Sequence, residues 1–282
     1  MRTSTKVWLF IALLLTLSGA LIFAGAMAAA NWDFTSLSTT EYTTNTYEIT
    51  EDFKYVYVNA SVADITVLPT TESTARVELH TEAKVGHTVK VSGETLEIST
   101  NDTRKWYDRI GISFESTGIT LYLPADSCKG MMIVGRTGDI TVQDLTIRGM
   151  TIKVTTGDVS ISNLVSQTDI NLQSSTGETA VRNVTARGII STAGTGDITL
   201  KNVIAQEKFD IIRSTGDVIF NACDAPEIKV EVTTGDVMGT LLSDKDFTVK
   251  TSTGDVSVPD TNSGGICEIK TSTGDIKISI TE

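Results

Sequence analysis

One carboxylate recurs at a fixed interval through the second half of the chain, directly after a Thr-Gly step. Its eight copies are Asp139, Asp158, Glu178, Asp197, Asp217, Asp236, Asp255 and Asp275, and the preceding glycines lie 19 or 20 residues apart. Such a column permits three chemistries. The acids can accept backbone N–H bonds at a tight corner whose glycine supplies a positive φ. They can ligate Ca²⁺. With Arg136, Arg182 and Arg213 close by in sequence, they can also form an acid–arginine cluster of the kind that cleaves polysaccharides.

Calcium takes about six to eight oxygens, whereas each copy supplies a single carboxylate. An active site breaks a repeat with an insertion that forms a cleft, and no copy here is more than one residue longer than its neighbours. The acids are therefore read as structural corners, with Ca²⁺ as the alternative, and no other metal or cofactor is indicated. The chain is not expected to be an enzyme; a glycan-active solenoid is the alternative. His80 and His87, the only histidines, lie outside the repeats, which rules out a histidine triad or zinc site within them.

The elements that hold these acids follow from aligning the copies on their glycines. Seven residues before the glycine stand Met131, Met150, Ile170, Ile189, Phe209, Ile228, Phe247 and Cys267; five before stand Ile133, Ile152, Leu172, Ser191, Ile211, Val230, Val249 and Ile269. A second pair of apolar columns lies two and four residues after it, from Ile140 and Val142 to Ile276 and Ile278. Spacing by two places each pair on one face of a strand, so each repeat holds a strand on either side of its Thr-Gly step. A further apolar column runs through Leu145, Leu164, Val184, Val203, Cys223, Leu242 and Thr261. Before it come Asp144, Asn163, Asn183 and Asn202, residues suited to bond rung to rung at a stacked corner. Together they predict an all-β chain with a β-solenoid of roughly eight rungs over 126–282.

The first 30 residues have another purpose. Arg2 and Lys6 precede an apolar run from Val7 to Ala30, about 36 Å as a helix, enough for a bilayer core of ~30 Å. Positive charge before the run keeps the N-terminus cytoplasmic and sends 31–282 outside, as a single-pass anchor or as a cleaved signal peptide. Residues 31–45 form a polar linker. Residues 46–125 read as an irregular β region that covers the first rung, with a hairpin turn at Gly93-Glu94. Trp106 and Tyr107, in a charged loop of that region, are the candidates for a partner contact.

The net charge of −12 argues against nucleic acid as a partner. Cys128, Cys223 and Cys267 do not make a disulfide framework, and the last two occupy apolar columns. The chain stops just past the strand Ile276–Ile280, which predicts an open edge there for end-to-end self-association.

From residue 50 onward the chain resembles a bacterial β-strand-repeat family of putative adhesins, a domain family of unknown function. The resemblance rests on Val62-Ala63-Asp64-Ile65-Thr66-Val67, Leu96-Glu97-Ile98, Ile119-Thr120-Leu121-Tyr122-Leu123-Pro124 and the Thr-Gly-Asp repeats. It implies a cell-envelope β-solenoid, often behind a membrane segment, and supplies no catalytic residues. An envelope or host-surface protein or glycan is the partner class that follows.

Overall fold

The structure is a computed structural model that describes residues 3–33, 40–101, 115–125, 127–261 and 263–281. Two compact units are distinguished, one carrying a helix and the other, from Thr43 onward, carrying the sheet. Helix α1 (Thr3–Ala29) is apolar on every side, and its stretch Thr5–Ala29 is long and apolar enough to cross a bilayer.

The remaining order comes from strands. In the N-terminal region these are β1 (Tyr42–Ile49), β2 (Tyr55–Val62), β3 (Asp64–Thr70), β4 (Ala75–Glu82), β5 (Gly86–Ser92), β6 (Thr95–Asn101) and β7 (Gly118–Pro124). The repeats begin with β8 (Gly130–Thr137), β9 (Ile140–Ile147), β10 (Gly149–Thr156), β11 (Val159–Ser166) and β12 (Ile170–Thr176). Two long bent strands follow, β13 (Thr179–Thr195) and β14 (Ile198–Thr215), then β15 (Val218–Cys223), β16 (Glu227–Thr234) and β17 (Val237–Leu241). The chain finishes with β18 (Lys245–Thr253), β19 (Val256–Ser257), β20 (Gly265–Thr273) and β21 (Ile276–Ile280).

Strands before and after each Thr-Gly step pair in parallel with their counterparts one repeat away, glycine column on glycine column, as in Met131↔Met150↔Ile170 before it and Ile140↔Val159↔Thr179 after it. Alternate residues then point inward and merge into one apolar cluster that includes Ile133, Ile152, Leu172, Ile211 and Val230. Phe209 and Phe220 stack inside it, ring centroids 6.0 Å apart. A β-solenoid-like coil results.

The parallel pairing continues outside the regular repeats. β2 and β3 pair in parallel with β8 and β9, and on their other side with β6 and β7. β4 and β5 run antiparallel, against β7 and β6, with the turn between β5 and β6 at Gly93, φ 60°. The first rung in sequence is thus an inner one. At the far end the order is inverted in the same way: β20 lies between β16 and β18, and β21 lies between β17 and β19.

That inversion corrects the expected open edge in part: Ile276 and Lys277 are flanked by both β17 and β19, Ile278–Ile280 pair with β17 alone, and the outermost rung is β18 with β19. Leu242 is a second correction. The register slips by one residue between Phe220↔Gly239 and Cys223↔Leu241, so Leu241 is buried and Leu242 is exposed.

Candidate functional site

At every corner the glycine has φ between 128° and 149°, a region that side chains rarely adopt. A Cβ at Gly157 would collide with the carbonyl oxygen of Gly138 in the rung below, and the same holds up the stack. Glycine is therefore required by close backbone approach as much as by dihedral.

The acid that follows has its own task. Asp158 N donates to Asp139 Oδ1 at 2.8 Å, Glu178 N to Asp158 Oδ1 at 2.7 Å, Asp217 N to Asp197 Oδ1 at 2.8 Å and Asp236 N to Asp217 Oδ1 at 2.8 Å. Through the inverted end the chain of bonds keeps spatial order, Asp275 N to Asp236 Oδ1 at 2.7 Å and Asp255 N to Asp275 Oδ1 at 2.9 Å. It starts on Asp64, whose Oδ1 accepts from Asp139 N at 2.9 Å. These charge-assisted bonds offset the repulsion of stacked carboxylates. Glu178 interrupts the ladder: it is one methylene longer, and Asp197 N makes no bond to it.

A second ladder turns the opposite corner. Asp144, Asn163, Asn183 and Asn202 all have φ near +55°, and each Asn Nδ2 donates to the Oδ1 below it at 2.8, 2.9 and 3.0 Å. Ala222 holds the same conformation, φ 52°, with no side-chain amide to extend the ladder.

Among the described residues no three His, Cys, Asp or Glu side chains gather where they could hold a metal ion. Arg213 turns away from the acids. It is 2% exposed, donates from Nη2 to Ser191 Oγ at 2.9 Å, and burial pushes its pKa down to about 10 against the pull of Asp197. Ser191, the polar break in its apolar column, is thereby explained. The three thiols are free and buried; burial raises that of Cys128 to about 11 and that of Cys267 to about 12. Trp106 and Tyr107 lie outside the described residues.

Two features lie beyond the repeat-column reading. Lys245, 1% exposed, reaches Asp224 Oδ1 at 2.6 Å and Ser243 Oγ at 2.5 Å, fastening the start of β18 to the connection between β15 and β16. The other is a groove of about 430 Å³ on the outer face of the strands that precede the corners. Gly130 and Gly149 line it together with Tyr55, Tyr57, Met132 and Asn171. Tyr55 is 46% and Met132 38% exposed. The signal was two glycines eight residues before consecutive corner glycines, beside an apolar residue in an outward column.

Parallel rungs with bonded corners place the chain among all-β, solenoid-like repeat proteins. It belongs to the Toastrack DUF4097 family, whose family model matches twice, over residues 53–177 and 165–282. Its fold is similar to that of a putative adhesin from Bacteroides fragilis NCTC 9343, with TM-score 0.58 and 19% identity over 85% of this chain and 97% of the other. A putative lipid binding protein from Parabacteroides distasonis ATCC 8503 gives TM-score 0.53 and 13% identity over 87% and 98%. At these identities the likeness establishes fold. No curated protein matches the sequence.

Proposed function

We propose that the protein is a membrane-anchored, extracytoplasmic interaction module of the cell envelope, serving adhesion or envelope sensing. The carrying observation is a contrast between the acidic ladder and one groove. Ladder carboxylates are engaged in holding corners, whereas the groove beside Tyr55 and Met132 presents aromatic and apolar surface alongside glycine backbone. Exposed aromatic and methionine side chains around a concavity favour binding of an extended ligand. The two fold relatives carry names of binders, an adhesin and a lipid-binding protein, which supports the same reading. Charge asymmetry around α1 supports an N-terminus inside and residues 31–282 outside.

The test is capture of envelope or host-surface proteins and glycans by the full chain in bilayer nanodiscs. The double variant Tyr55→Ala, Met132→Ala is expected to weaken capture at least ~10-fold, a loss of ~1.4 kcal/mol or more. Retention of full binding by that variant would remove the groove from the proposal, and absence of any partner would count against the module itself.

A further inference from the structure

The coil does not end alike at its two ends. At one end the outer strands run antiparallel, β5 on β6 and β4 on β7, whereas at the other β18 pairs in parallel with β20 alone, so its outward N–H and C=O groups form an open edge. Inward-facing Phe247 and Val249 are only partly buried there, and the exposed residues between and around them are Asp246, Thr248 and Lys250.

Read along the strand, Asp246-Phe247-Thr248-Val249-Lys250 is a palindrome in shape with its charges inverted. Laid antiparallel on a second copy about a twofold axis at Thr248, it is self-complementary on both faces. Asp246 meets Lys250 of the other copy, and Lys250 meets Asp246. On the core side Phe247 meets Val249, so each copy closes the apolar end of the other. Opposite charges and aromatic–β-branched neighbours are favourable cross-strand pairs. Within the chain, Lys250 is aligned with Lys270 on β20 and Asp246 with Ile266, so β20 places no opposite charge directly across from either. We propose that β18 is a homodimerisation edge, pairing antiparallel with β18 of a second copy in the register that places Thr248 opposite Thr248.

Isologous contact is the commonest way for a chain to close on itself. Open edges recruit strands by backbone bonding, while side chains set partner and register. The buried area of one strand pair is small, so the dimer is expected to be reversible.

The experiment uses the full chain in detergent micelles at about 100 μM, a range suited to small interfaces, with sedimentation velocity and native mass spectrometry. A monomer–dimer equilibrium is expected for the native sequence. Lys250→Asp puts two acids opposite each other in each half of the interface and should weaken the dimer at least ~10-fold. The exchange Asp246→Lys with Lys250→Asp recreates the complementary pattern and should restore dimerisation to within about threefold. Thr248→Cys brings identical positions to a Cα separation of about 4.5–5.5 Å, within disulfide range, and should give an oxidised dimer. Ser252→Cys, whose counterpart in this register is residue 244, should not. A monomer throughout, or a dimer indifferent to the charge changes and without a Thr248→Cys disulfide, would overturn the proposal; the second pattern would assign association to another surface such as α1. Far-UV circular dichroism of each variant separates loss of pairing from loss of fold.

Discussion

At the scale of single residues, the corner ladder is a row of equivalent bonds with one defect. Glu178 accepts nothing from Asp197 N, whereas seven Asp side chains, Asp64 included, accept the next backbone N–H at 2.7–2.9 Å. Glu178→Asp shortens the side chain to the ladder length and is expected to stabilise the fold by about 1 kcal/mol, the net worth of one exposed hydrogen bond to a charged group. Thermal unfolding of the pair of proteins checks it. Two ion-paired carboxylates make the fold sensitive to acid. Asp275 is held below the ordinary carboxylate range chiefly by Lys277, with the Asp255 N–H assisting, and Asp169 is held down chiefly by Arg187. A carboxyl with a lowered folded pKa contributes stability above its unfolded value, near ~3.9, and loses it as pH falls through the folded value. Melting temperature is therefore expected to hold steady from neutrality to about pH 5 and to decline below about pH 4. A melting series against pH reads this directly, and an unchanged melting point at pH 3 would refute it.

Among elements, β18 is an edge strand whose start is held by a single ion pair. It has a strand neighbour on one side only, and its first residue, Lys245, is anchored by Asp224 and Ser243. Lys245→Ala leaves Asp224, 27% exposed on its side chain, without its cation. Removing one partner of a buried pair costs about 3–5 kcal/mol, and the partial exposure of Asp224 lowers this to about 2 kcal/mol. Chemical denaturation should show that loss, and hydrogen exchange should show it accompanied by faster exchange confined to β18 and β19. If stability is unchanged, the pair holds nothing in place.

For the sheet as a whole, the decisive feature is that both ends are inverted relative to chain order. Were rungs stacked in sequence, removing residues 263–282 would strip an outer layer and leave the rest intact. Here that segment separates β16 and β17 from β18 and β19. Truncation after residue 262 is expected to unpair β18 and β19 and to expose the apolar surface of Val230, Val237 and Ile228, all fully buried in the complete chain. Burying such a side chain is worth about 1.5–3 kcal/mol, so a loss of several kcal/mol is predicted, with rapid exchange across residues 237–257. Protection of 245–253 in the truncated chain would contradict the inverted order. Inward placement of both terminal rungs also makes folding non-local at each end, since β2 must find β8 and β20 must enter beside β16.

Much of the rung itself was legible in the sequence because a solenoid is nearly periodic: side chains at fixed spacing from Gly138, Gly157 and their successors meet the same environment in each turn. Period, glycine corners, apolar columns and the Asn ladder are all local properties repeated, and α1 is a composition. Three things were not local. Which rung lies outermost depends on pairing between strands far apart in sequence, and the motif at 273–275 reads the same whether its rung is at the edge or one layer in. Arg213 was read beside the acids because spacing places it three residues from a corner; the inward direction of that column, and the hydroxyl of Ser191 one rung away, send it into the core instead. The groove at Tyr55 and Gly130 joins strands 75 residues apart by register. The sequence alone therefore determined the repeating corner and the apolar helix, since both are set by nearest-neighbour stereochemistry and hydropathy. Only the tertiary structure decided the order of the end rungs, and with it which strand is left open, because backbone pairing selects among equivalent edges by what the rest of the chain has already covered.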